Sequence, residues 1–193
     1  VVIIGADVSG NLSGGGQSRH IAIVLGTEES INRTYRKIGV SAIHMVSMSH
    51  AKRQQVFQNL AFGDSDLVGL CLNVERQKTI DAVTNDPRFV SPSMPKPRFH
   101  QHFDYLLFRK IRDIVEPFAY ERGCEIKDVV MQCDSDMSKT GANWRMRTSH
   151  GGRAYDLADA VAWCNEHGRR LRHCREMDLA GKIREEMILD FLK

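Results

Sequence analysis

Val1-Val2-Ile3-Ile4-Gly5-Ala6-Asp7-Val8-Ser9-Gly10-Asn11, followed at a short distance by Arg19-His20-Ile21-Ala22-Ile23-Val24-Leu25, decides the fold. Six small or apolar residues make a buried strand that ends in a carboxylate and a turn signal. Gly10 to Gly16 forms the turn, and 19–25 is a second apolar run. So short a loop carries no parallel crossover, so the two strands form an antiparallel hairpin. Asp7 then stands at the end of a buried strand. A lone carboxylate there is costly to desolvate, so partners or a cation are expected nearby.

The rest of the chain extends the same pattern. A third strand is expected over Val40–Val46, where apolar residues alternate. Ser49 reads as the N-cap of a helix over His50–Ala61 with Val56, Phe57 and Leu60 inward. Leu67–Val74 is a continuous apolar run of the kind a central strand shows. Four of the five prolines (Pro87, Pro92, Pro95 and Pro97) fall within 86–98, an irregular connector. His102–Glu121 carries apolar residues at helical spacing. Ile126–Cys133 is a fifth strand, and a polar, Gly-containing loop runs on to Gly152. Helices are expected over Arg153–His167 and 177–192. The order predicts one α/β domain over 1–193, with a five-stranded mixed sheet of three antiparallel and then two parallel strands, flanked by helices.

Apolar content of 42% with 26% charged residues fits a folded chain, and no stretch has the ~20 apolar residues of a membrane span. Five scattered cysteines, an odd number, point to reduced thiols and a cytoplasmic protein. The net charge of +3 is unremarkable, but its distribution is not. Eight Lys or Arg face three acids between Lys139 and Arg175. Lys139, Arg145, Arg147 and Arg153, with Trp144 as a base-stacking aromatic, make a nucleic-acid contact surface.

That basic segment also holds acids placed to meet Asp7. Glu75 follows the fourth strand directly, and Asp134 and Asp136 follow the fifth. Asp156 and Asp159, three apart, share one helical face. If the first and fourth strands are parallel neighbours, Asp7 and Glu75 lie side by side about 4.8 Å apart. Crowded carboxylates repel unless a cation balances them, and all-oxygen donors suit Mg²⁺ or Mn²⁺. Two such ions would serve phosphodiester hydrolysis.

Three motifs carry a family resemblance. Asp7-x-Ser9-Gly10 resembles the opening of uncharacterised RNase H-like D-x-S-G domains. Val74-Glu75-Arg76 resembles the glutamate motif of RuvC-type resolvases, and Asp156-x-x-Asp159-Ala-Val-Ala their D-x-x-D-A-L-A helix. The resemblance implies an RNase H-like fold, a two-metal nuclease and a nucleic-acid substrate. By position it makes Asp7, Glu75 and Asp159 metal ligands with Asp156 alongside. Asp134 departs from the RuvC-type pattern but matches D-x-S-G domains, and is ranked above Asp136.

Other signals are weaker. Gly14-Gly15-Gly16 lacks the Lys-Ser/Thr and the helix of a P-loop, although a turn of this kind resembles the phosphate loop of actin-like kinases. A nucleotide-dependent phosphotransferase is therefore a third reading, after a non-catalytic nucleic-acid-binding module. Cys164, His167, His173 and Cys174 fit no common zinc spacing. His100, His102 and His150 read as loop or helix-entry residues.

Overall fold

The computed structural model describes residues 1–9, 18–63, 66–75, 109, 111–134 and 145–178, with the side chains of 9, 18, 19, 74 and 75 excepted. The hairpin forms as expected. Strand β1 (Val2–Ser9) pairs antiparallel with β2 (Ser18–Thr27), placing Asp7 opposite Ala22 and Ser9 opposite His20. Strand β3 (Leu67–Glu75) continues the antiparallel series on β2. On the other side of β1, β4 (Val130–Cys133) runs parallel to it, and β5 (Arg147–His150) runs parallel to β4. A sixth strand, β6 (Arg175–Asp178), joins the far edge parallel to β3, giving the order β5-β4-β1-β2-β3-β6.

Helices lie on both faces. On one, α1 (Glu28–Ile38), α2 (His50–Asn59) and α4 (Arg153–Glu166) bury Ile31, Tyr35, Val56, Leu157 and Val161 against Ile3, Val24 and Cys71. On the other, α3 (111–120) sets Ile111, Val115 and Phe118 against Ile4, Ile23 and Leu72. Alternation along each strand divides its residues between these two cores. Ser49 caps α2 as expected, accepting from the Lys52 N–H.

The sheet differs from the expected one in several places. Val40–Val46 is not a strand. Ile43 and Met45 are buried at two-residue spacing, as in a strand, but side chains take their N–H groups: Ile43 donates to the Tyr35 hydroxyl and Met45 to Asp159. The third strand is therefore Leu67–Glu75, and the helix α1 occupies the stretch before residue 40. With the Val40–Val46 strand lost and two short edge strands gained, the sheet has six strands instead of five. β5 lies in the expected polar loop, and β6 takes Met177 and Asp178 from the expected last helix. Ile126–Asp128 is a 3₁₀ turn, so the following strand starts at Val130. The expected segments 86–98 and 179–192 lie outside the described residues. No helix among the described residues is long and apolar enough to cross a membrane.

Candidate active site

The site is built where α4 presses on the end of β1. Gly5 lies directly under the first turn of α4; a Cβ there would sit 1.9 Å from the Ala154 carbonyl oxygen. Gly152, at the N-cap of α4, offers no side chain, so Gln132 of β4 supplies the cap: its Oε1 accepts from the Ala154 N–H at 2.8 Å. This locks the start of the helix to the strand beside β1. Ala154 and Ala158 on the buried side permit the close approach.

Asp7 projects from β1 toward α4, since its cross-strand partner Ala22 belongs to the core under that helix. The parallel register ends with Gly5 aligned to Gln132; Asp7 and Asp134 each follow two residues further on, and the charge of Asp134 is felt at Asp7. Adjacent strands are ~4.8 Å apart, so the two carboxylates leave neighbouring strand ends on one face. Asp159 approaches from α4. Burial, then the charge of Asp159, then that of Asp134, push the Asp7 carboxyl up to about 6, against donors from the Val8 backbone and Tyr155. Tyr155 stands among all four acids: burial first, then Asp7, Asp134, Asp159 and Asp156, drive its hydroxyl up to about 12.

The two helical acids have structural partners as well. Asp159 accepts the Met45 N–H at 2.7 Å and lies 3.8 Å from His44; burial nonetheless leaves its carboxyl raised. Asp156 accepts from the Tyr35 hydroxyl at 2.6 Å, and that hydroxyl accepts the Ile43 N–H at 3.0 Å. Asp156 therefore ties the α1–α2 connector to α4. Tyr35→Phe leaves a buried N–H unpaired, and a loss of about 1–3 kcal/mol in urea denaturation is expected. Divalent-metal affinity should be unchanged, because Asp7 and Asp134 are untouched. A matching fall in affinity would move Asp156 from anchor to ligand.

Glu75 does not occupy the expected place. β3 is separated from β1 by β2, so the two strands are parallel but not neighbours. Cys71 is level with Asp7 across β2, and Glu75 pairs with Ser18, four residues beyond. That sets its backbone about 13 Å further along and about 10 Å across. The neighbour role expected of Glu75 falls to Asp134. Asp136, Lys139 and Trp144 lie outside the described residues, as do Gly14–Gly16, His100 and His102. Arg145 and Arg147 are exposed near the β5 edge, with the Arg147 guanidinium donating to the Asp128 carbonyl. Arg153 donates to Asn32 at 2.6 Å and lies over the Tyr35 ring.

Of Cys164, His167, His173 and Cys174, Cys164 is a core residue and His167 stacks on Trp163 at 4.0 Å. Among the described residues no three His, Cys, Asp or Glu side chains form a group that would hold a metal. The donor chemistry still suits a hard cation. Mg²⁺ is commonly held by one or two carboxylates, with water and substrate phosphate completing its shell, so an Asp7–Asp134 pair meets its needs. Tyr155, Tyr35 and His20 went unmarked in the sequence reading. His20 had a signal, a polar residue inside an apolar strand. No family model matches the chain, and no curated protein is significantly similar to it.

Proposed function

We propose that the protein is a divalent-metal-dependent nuclease of RNase H-like fold, with the ion-binding edge at the ends of β1 and β4. Asp7 beside the end of β4, repelled by Asp134 and by Asp159, is the observation that carries this reading. A cation would relieve that repulsion. Three antiparallel strands, with β4 and β5 parallel to β1, support the fold assignment. Asp7 and Asp134 would hold Mg²⁺ or Mn²⁺, with Asp159 as a further ligand for a second ion; Glu75 is too far from Asp7 to join them. Such ions supply Lewis-acid stabilisation of a phosphodiester and an activated water. Tyr155 orients Asp7, and Gln132 holds α4 in place. Arg147 pairs with Val130 at the start of β4, about 13 Å along the strand from Asp134, so Arg145 and Arg147 would meet the nucleic-acid backbone away from the ions.

The second reading, a nucleic-acid-binding module without catalysis, is favoured by the engagement of Asp156 and Asp159 in structural hydrogen bonds. Calorimetric titration with Mn²⁺, paired with gel assays on RNA, DNA and hybrid, separates the two. Saturable binding with metal-dependent cleavage is expected. Salt-sensitive nucleic-acid binding without metal uptake would replace the first reading with the second.

A further inference from the structure

We propose that His20 reads the ribose 2′-hydroxyl, so that the strand entering the site is RNA. The inference rests on the nuclease reading and names its substrate class.

His20 sits on β2 two residues from Ala22, the partner of Asp7. It therefore shares the face of Asp7 and is its diagonal neighbour, about 7–8 Å away. Its cross-strand partner on the other side is Asn73 of β3. The His20 Nδ1 is 2.7 Å from the Asn73 Oδ1. The same oxygen receives the Cys71 thiol at 3.5 Å and the Asn165 amide nitrogen at 3.4 Å. Two other donors converge on this atom, which identifies it as the amide oxygen, an acceptor only. The contact at 2.7 Å then requires a proton on Nδ1, because a bare Nδ1 would set two lone pairs against each other. The Asn165 nitrogen, 3.3 Å from Nδ1, is accordingly committed to the oxygen.

With Nδ1 protonated, the neutral ring presents a bare lone pair at Nε2. Among the described residues nothing bonds to Nε2. The ring is half-buried, so this acceptor is held in place by β3 and the last turn of α4. Phosphate and ring oxygens of a nucleic-acid backbone only accept hydrogen bonds. The 2′-hydroxyl is the backbone donor, and it distinguishes RNA from DNA. A fixed acceptor one strand away from the ion-binding edge is thus matched to ribose and has nothing to bond on deoxyribose.

The experiment compares Mn²⁺-dependent cleavage of matched single strands of RNA, DNA and 2′-O-methyl RNA by wild type, His20→Phe and Asn73→Leu. Wild type is expected to prefer RNA by about 10-fold over both others, the worth of one hydrogen bond. The preference should fall toward unity in His20→Phe and be intermediate in Asn73→Leu, which keeps the ring but frees its tautomer. Long-range ¹H–¹⁵N spectra should show the Nδ1–H tautomer of His20 in wild type and a mixture in Asn73→Leu. Equal cleavage of RNA and DNA by wild type, or an RNA preference surviving His20→Phe, overturns the inference and leaves the nuclease intact. Failure to cut any of the three, alone or paired with a DNA strand, overturns both. The wild-type substrate comparison decides even if a variant does not fold.

Discussion

Asp7→Asn is expected to abolish metal-dependent cleavage, by roughly 10³-fold or about 4 kcal/mol of barrier, while making the metal-free protein more stable at pH 7. The two effects have one cause. Asp7 is held where burial and the charges of Asp159 and Asp134 resist its ionisation, up to about 6 from an ordinary 3.8. The folded protein therefore keeps a proton that the unfolded chain has already released between about pH 4 and 6. Stability falls as pH rises through that window, and above it the folded state carries the full cost of the ionised group. A difference of that size corresponds to about 3 kcal/mol, reduced to on the order of 1–2 kcal/mol because part of the carboxylate reaches solvent. Asparagine keeps the shape and an acceptor for Tyr155 without the charge.

Thermal denaturation between pH 4 and 8 checks this directly. The variant should melt about 3–6 °C above wild type at pH 7, and the gap should close toward pH 4. Mn²⁺ should raise the melting temperature of wild type more than that of the variant. A variant less stable than wild type at pH 7 would mean that Asp7 is a favourable structural partner rather than a repelled ligand. Undiminished cleavage would remove it from the site altogether.

The hairpin, the buried Leu67–Glu75 run and the two helical acids were legible because each rests on local periodicity or on a strand end. What failed was register between distant elements. Glu75 and Asp134 both follow apolar strands, and nothing local says which strand lies beside β1. Only the observed pairing gives Asp134 that place. The 40–46 stretch misled for another reason: burial of Ile43 and Met45 imitates a strand, while Tyr35 and Asp159 do the work of a neighbouring backbone. The helix α1 was missed, although its ends carry signals in the sequence. Thr27 accepts from the Ser30 N–H, Glu28 and Glu29 open the first turn, and Gly39 closes it at φ +74°. β5 gave no signal, because all four of its residues are exposed and an edge strand with one neighbour needs no apolar face.

Gly5→Ala is expected to be the most damaging single-methyl change in the β1–α4 contact, costing about 3–5 kcal/mol or preventing folding at 37 °C. The added Cβ would lie 1.9 Å from the Ala154 oxygen, 2.1 Å from its carbonyl carbon and 2.7 Å from the Tyr155 nitrogen. All three are backbone atoms, so no rotamer change relieves the clash, and α4 itself must move away from β1. That movement would pull the Ala154 N–H from Gln132, open the layer formed by Leu157, Ala158 and Val161, and carry Tyr155 and Asp159 away from Asp7. Ala154→Gly cannot rescue the variant, because the side chain it removes is not what the methyl meets. Gly168→Ala is the useful control. Its φ is +65° and nothing lies within 4 Å of the new methyl, so it costs only about 1 kcal/mol for the left-handed backbone. Urea denaturation of both variants measures the difference. If Gly5→Ala lost no more than Gly168→Ala, α4 would not be seated on β1 by backbone contact. The alignment of Asp7 with Asp159 would then need another origin. If any folded Gly5→Ala remains, its pH dependence should be flatter between 4 and 6, since a displaced α4 no longer burdens Asp7 with the charge of Asp159.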